Sequence, residues 1–207
     1  MPRKTDPTEA IVEAAMALIA ERGWRAAQPD AIAARAGVDL ATLYRTTGGR
    51  DGILRALIAR IDLAMLKGST PGDPNETPHD LLFDTLMRRF DALQPYKAAV
   101  TVLMHDWRTQ PIAGLVQAPA MLRAMRWALA AAGVPVQGVG GLVLERALAL
   151  AYAATLRVWL ADDSPDLGRT MAALDRNLRR LHRLSPMLRS RTVPSRNDSA
   201  DPAEAPA

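Results

Sequence analysis

The chain has 207 residues, room for one long or two short domains, with 49% hydrophobic and only 4% aromatic residues and a net charge of +4. It contains no cysteine, which excludes disulfides, zinc–thiolate centres and cysteine nucleophiles and fits a reducing cytoplasm. Alanine and leucine dominate and β-branched runs are few, so the composition predicts an all-α fold.

Residues 1–5 form a short basic arm without the apolar run of a signal peptide. Asp6-Pro7-Thr8-Glu9 is a helix start, with Asp as cap, Pro in the first turn and Glu three residues after the cap. The first helix runs to about Arg22 with Ile11, Ala15, Leu18 and Ile19 inward; Gly23 ends it, and Trp24 packs beneath the next two helices. Residues 30–44 then read as helix, tight turn, helix. Ile32, Ala33 and Ala36 share one face, and Gly37 suits a helix end because it takes positive φ without a Cβ penalty. Val38 plugs the gap, and Asp39 caps a second helix carrying Thr42, Tyr44 and Arg45, with Leu40 and Leu43 as inward anchors. A turn this short is the sequence form of a helix-turn-helix, whose second helix enters the major groove of DNA. Thr42 and Tyr44 can donate to phosphate oxygens, and Arg45 can contact phosphate or guanine. A fourth helix is predicted from near Arg50 to about Lys67, with Ile53, Leu57, Ile61 and Ala64 as its apolar stripe, broadened by Leu54 and Ile58.

Residues 68–78, rich in Pro and Gly, are a linker. The pattern predicts a three-part organisation: a helix-turn-helix domain over 1–67, a ligand-binding and dimerisation domain over 79–184, and a disordered tail over 185–207. In the second domain, a fifth helix spans about 79–93, and a sixth opens at Pro95 and runs to about Gln110, where Pro111 breaks it. Pro119 is read as opening the seventh, and Gly133 to Gly141 as a loop before the eighth, at about 142–161. Asp163-Ser164-Pro165-Asp166 is read as the cap of the ninth. The eighth helix is apolar on most faces and contains Glu145, Arg146 and Arg157, so it reads as a buried helix rather than a membrane span. Met171, Leu174, Leu178 and Leu181 make a coiled-coil-like seam, and the two last helices together predict a homodimer through a four-helix interface.

Charge is distributed unevenly. Residues 1–67 hold ten basic against eight acidic side chains, whereas 176–196 hold seven Arg and no acid. With leucines at helical spacing over 177–191, that end suggests a weak peripheral contact with anionic lipid, against the plainer reading of a solvated helix end. Catalytic signals are missing. His79, His105 and His182 have no metal-ligand spacing, and Gly138-Val139-Gly140-Gly141 lacks the preceding strand and the later glycine of a phosphate loop. No enzyme, metal or cofactor is expected. Methionines and aromatics do concentrate in the second domain, and walls of that kind adapt to lipophilic ligands. The expected pocket is Phe90, Leu103, Met104, Trp107, Met125, Tyr152, Thr155 and Trp159, open to an apolar small molecule or lipid.

Residues 8–61 resemble the TetR family of bacterial transcriptional regulators. The marks are Ala14-Ala15, Gly23-Trp24, Ile32-Ala33, Ala36-Gly37-Val38 and Thr42-Leu43-Tyr44, with residues 50–54 where the family opens its fourth helix. The resemblance implies a TetR-like fold, an N-terminal three-helix domain followed by a helical ligand-binding and dimerisation domain. It implies a ligand-responsive regulator, usually a cytoplasmic repressor, that binds a double-stranded DNA operator as a homodimer. It implies a DNA-facing set of Ala27, Leu40, Ala41, Thr42, Tyr44, Arg45 and Arg50. The chain departs from the family at Thr46-Thr47, where an aromatic residue is usual. It departs also at Arg50, where Lys is usual, at Ala26-Ala27, where Thr is usual, and at Asp39, which replaces a typical Ser. A second resemblance covers about half of the later domain. Pro95-Tyr96, Ala151-Tyr152 and Asp163-Ser164-Pro165-Asp166 look like the lipid-binding accessory proteins of coenzyme Q (ubiquinone) biosynthesis, which implies the alternative of a lipid carrier that does not bind DNA.

Overall fold

The computed structural model describes residues 6–68, 76–109 and 111–184, with side chains at all of these except 108–117 and 184. The basic arm, most of the expected linker and the tail from 185 onward lie outside the described residues. Among the described residues the secondary structure is helical throughout. The helices are α1 (Pro7–Arg22), α2 (Pro29–Ala36), α3 (Leu40–Thr47), α4 (Arg50–Leu66), α5 (Pro78–Leu93), α6 (Lys97–Thr109), α7 (Pro111–Ala131), α8 (Gly138–Leu160) and α9 (Gly168–Leu184). A single 3-10 turn, Gln94–Tyr96, joins α5 to α6, so Pro95 sits in that turn rather than at the head of α6.

The local signals act as their chemistry dictates. The Asp6 carboxylate accepts from the Thr8 N–H at 3.0 Å and caps α1. Thr77 and Asp80 satisfy each other's backbone N–H groups at the start of α5, a reciprocal capping box. Ile11, Ala15, Leu18 and Ile19 of α1 are buried with Ile32 and Ala33 of α2, Leu43 of α3 and Ile53 and Leu57 of α4. This core continues without a break past the expected domain boundary into the later helices, through α4, which packs on α5, and α1, which packs on α6. Polar contacts cross the same boundary. The Trp24 N–H donates to Asp106 of α6 at 3.1 Å, and the Tyr96 hydroxyl donates to Glu13 of α1 at 2.5 Å, a carboxylate that Arg60 of α4 also engages at 2.7 Å.

Four expectations are corrected. Pro119 lies inside α7 instead of opening it. Its ring nitrogen has no hydrogen to offer the preceding turn, yet Ala120, Ala124, Met125, Ala128 and Leu129 are all buried, and their packing outweighs one lost bond. Helix α8 begins at Gly138, so the glycine run is its first turn rather than a loop. A Cβ on Gly141 would meet the Val136 backbone at 2.4 Å, which makes the glycine a condition of that close approach. The quartet read as the cap of α9 supplies only part of it, Asp166 accepting from the Gly168 N–H at 3.3 Å; Asp162, one position before the quartet, holds the rest of the first turn. The buried Asp162 carboxylate accepts from the Thr170 N–H and hydroxyl, both at 2.8 Å, and from the Ser164 hydroxyl at 2.5 Å. These bonds, that from Ser164 foremost, hold the acid far below the usual carboxylate range.

The fourth correction concerns the leucine seam of α9. Leu174, Leu178 and Leu181 are buried within the protomer against α8 and α5, so they are spent before any second chain or membrane arrives. The unpartnered face belongs to α8, where Val139, Val143 and Leu150 are exposed by 61–78%. Among the described residues α8 is the helix long and apolar enough to cross a bilayer. It packs against α7 and α9, and its Glu145 is buried and accepts from Arg126 Nε at 2.9 Å.

Candidate nucleic-acid interface and ligand cavity

Helix α2 ends on Gly37 at φ 67°, ψ 31°, the left-handed conformation that glycine takes without strain. The Val38 N–H reaches back to the Ala33 carbonyl at 3.0 Å and closes the turn. Asp39 then caps α3, its carboxylate accepting the Thr42 N–H at 2.6 Å. The bonds from Thr42 keep this acid below its ordinary range, so it stays ionised at the positive end of the helix. One anchor, Leu43, is buried; Leu40, expected beside it, is 54% exposed because the first turn of α3 overhangs the core.

The expected DNA-facing residues separate into two groups. Leu40, Ala41, Tyr44 and Arg45 are exposed on α3, with Thr42 half-buried beside them. Tyr44 is 72% exposed, and the Arg45 guanidinium donates to the Thr42 hydroxyl at 3.1 Å. Ala27 does not belong with them: its side chain is fully buried in the core and cannot touch a partner. Arg50 turns inward as well. Its guanidinium lies 3.9 Å from the centre of the Trp24 ring and donates to the Trp24 carbonyl, and burial pulls its pKa down. It therefore latches α4 to the end of α1 instead of extending toward phosphate. Thr46 and Thr47, the departures from the family pattern, donate back to the Thr42 and Leu43 carbonyls at 2.7 and 2.9 Å.

Behind this domain lies a cavity of about 360 Å³. One wall is α4, through Leu54, Leu57, Ile58 and Ile61; the others come from Leu93, Val100, Leu103, Met104, Trp107, Ala118, Met121, Ala153 and Leu156. Two polar residues reach it, Arg89 of α5 and Tyr152 of α8. Of the expected pocket residues, Leu103, Met104, Trp107 and Tyr152 line the cavity. Phe90, Met125, Thr155 and Trp159 do not; each is buried behind the wall. Phe90 stacks on Tyr152 with ring centres 4.9 Å apart and lies 5.9 Å from Trp159, so this aromatic cluster stiffens the wall rather than facing the space. The Thr155 hydroxyl is occupied by the Ala151 carbonyl and by Asn177, and Trp159 donates to Gln94 at 3.0 Å.

Sequence reasoning does not single out Arg89 and Asp62. They form an ion pair between α5 and α4 in which both side chains are nearly enclosed. Arg89 also lies over the Tyr152 ring, 5.5 Å from its centre. Burial pulls the Arg89 pKa down, but Tyr152 and Asp62 more than offset it and the group stays charged. Burial pushes the Tyr152 hydroxyl up, so it remains a neutral phenol. Each residue carried a signal of its own, though not of the pairing: Asp62 follows Ile61 within the α4 stripe, and Arg89 sits three residues after Leu86 on the inward face of α5. Among the described residues no three His, Asp or Glu lie together as a metal site.

In comparison with known proteins, residues 11–57 match the family of bacterial regulatory proteins, tetR family. No curated protein matches the chain. Among solved structures, a TetR transcriptional regulator from Nitrosomonas europaea ATCC 19718 superposes with a TM-score of 0.69 at 23% identity, over 86% of this chain and 98% of that one. A TetR transcriptional regulator from Rhodococcus sp. RHA1 gives 0.61 at 24% identity, over 84% and 94%. A TetR-family regulator from Streptomyces coelicolor A3 gives 0.62 at 20% identity, over 92% and 98%. The sequence match ends in α4 and leaves the coenzyme Q likeness of the later domain without support. The chain thus joins an N-terminal segment that matches the tetR family to a fold that is TetR-like and, among the described residues, all-α.

Proposed function

We propose that this protein is a ligand-responsive, DNA-binding transcriptional regulator that works as a homodimer and represses until an apolar ligand occupies the cavity. One observation carries the reading: α4 serves both sites. Its first turn packs against the end of α3, where Gly52 faces the Thr47 backbone, and its middle residues form a wall of the cavity. A molecule that fills the space presses on the helix that carries the recognition helix. A coupling of about 1–3 kcal/mol changes operator occupancy severalfold or more. The cavity is within the range of small-molecule sites and almost wholly apolar.

The dimer is assigned to the exposed α8 face of Val139, Val143 and Leu150, since the α9 leucines are already buried. Two copies would place their α3 helices on half-sites about 34–36 Å apart, or a multiple of that spacing. Selection from a random DNA pool at low salt, followed by footprinting, tests the reading. Tyr44→Ala and Arg45→Ala should each weaken binding by about 1–3 kcal/mol. Absence of any protected site in the pool and in the gene's own upstream region would end the regulator reading. That outcome would favour the second one, a lipid carrier without DNA binding, for which the apolar cavity and the anionic Asp39 at the head of α3 speak.

A further inference from the structure

Arg89 is the polar side chain that the cavity leaves incompletely used. It is 4% exposed and lines the space, yet its Nε–H has no hydrogen-bond partner. The Tyr152 hydroxyl, on the same wall and just as deeply buried, stands beside the Arg89 guanidinium, from which its oxygen can accept, and finds no acceptor for its own proton. An unmatched donor that cannot reach water is costly, and two of them at one wall of an otherwise greasy cavity call for a common acceptor. Charge decides what kind. The Arg89 cation is already neutralised by Asp62, to which its Nη1 donates, and the remaining lining is apolar apart from Trp107. A carboxylate entering here would leave the buried site with one net negative charge, and an ammonium would meet donors. A neutral carbonyl oxygen satisfies both groups at no cost in charge.

Building on the reading of the cavity as the ligand site, we infer that its ligand is an uncharged apolar molecule bearing a carbonyl-type acceptor, such as a ketone, ester or lactone. Its oxygen is held between Arg89 Nε–H and Tyr152 O–H. The rest of the molecule lies along Leu103, Met104, Trp107 and the α4 wall. Arg89 and Tyr152 thereby set specificity, whereas Asp62 is a positioning residue that fixes the guanidinium and keeps it from demanding an anion.

The test uses the full chain and a set of probes of nearly equal size that compete with the neutral fluorophore N-phenyl-naphthylamine. These are butylbenzene, its carbonyl analogue butyrophenone, the anion 4-phenylbutanoate and the cation 4-phenylbutylamine. Butyrophenone should bind about tenfold more tightly than butylbenzene, and both charged probes more weakly than butyrophenone. Tyr152→Phe removes the hydroxyl whose proton has no acceptor, and Arg89→Lys keeps the charge beside Asp62 while removing the Nε–H. Each should reduce the ketone-to-hydrocarbon ratio at least threefold and leave butylbenzene affinity unchanged, a change that general loosening of the fold would not produce. Equal affinity for ketone and hydrocarbon, a preference for the carboxylate, or an unchanged ratio in either variant overturns the inference while the cavity reading stands. Failure of the fluorophore and of every probe to bind overturns the cavity reading itself.

Discussion

Gly52→Ala probes the joint on which the functional reading depends. A Cβ built on Gly52 falls 1.5 Å from the Thr47 carbonyl oxygen and 2.6 Å from its carbonyl carbon. Ordinary non-bonded contact needs about 3.5 Å, so α4 and the end of α3 must separate by about 2 Å. Both partners are backbone, and no side chain can swing aside. The substitution also brings a gain, since Ala is favoured over Gly in a helix by about 1 kcal/mol. Overpacking in a close-packed core costs about 1–3 kcal/mol or more, and a 2 Å displacement against rigid backbone belongs at the upper end. The expected net loss is about 2 kcal/mol, which lowers the melting temperature by about 4–8 °C for a chain of this size. The displacement falls on the recognition helix, so DNA affinity should drop even at temperatures where the variant is folded. Gly168→Ala is the control: its Cβ would meet nothing closer than Asp166 at 3.5 Å, and stability should stay within about 0.5 kcal/mol. Urea denaturation followed by circular dichroism reads both. A Gly52→Ala protein as stable as the parent would refute the argument, because helix propensity alone would then be deciding the outcome.

Leu150→Glu, at a position 74% exposed, should dissociate the proposed dimer and leave the protomer folded, whereas Leu174→Glu, fully buried, should unfold it; light scattering with thermal melting separates the two. A Leu150→Glu protein that stays dimeric would move the interface off this face of α8. Asp162→Asn should destabilise the α8–α9 junction at neutral pH, seen as faster amide exchange at Thr170, since it exchanges a charged acceptor of the Thr170 and Ser164 donors for a neutral amide. Because the folded-state pKa of Asp162 is depressed, its contribution is fully present above the unfolded value of about 4 and is lost as the pH falls below it. The parent and Asp162→Asn should therefore converge in stability on acidification below about pH 4, and an unchanged difference there would refute the assignment.

The helix-turn-helix was legible in the sequence because its determinants are local. A glycine after a helix, a capping Asp and apolar residues at three- and four-residue spacing act within about fifteen residues, and α2, Gly37, Asp39 and α3 stand where they direct. All-α character was likewise settled by composition. What tertiary structure alone decided is which apolar residue faces which neighbour. Periodicity marks a stripe as buried but cannot say against what, so Leu174, Leu178 and Leu181 read as a dimer seam although α8 and α5 of the same chain cover them. Nor can it separate residues that line a cavity from those that support its wall, as Tyr152 and Phe90 show, stacked on each other but with only Tyr152 at the space. Pro119 stayed inside a helix because burial summed along α7 outweighed one absent N–H. Arg89 and Asp62, 27 positions apart, had no local signature as a pair. Each carried only the mark of a charge on an apolar face, and it took the packing of α5 against α4 to bring them together at the cavity.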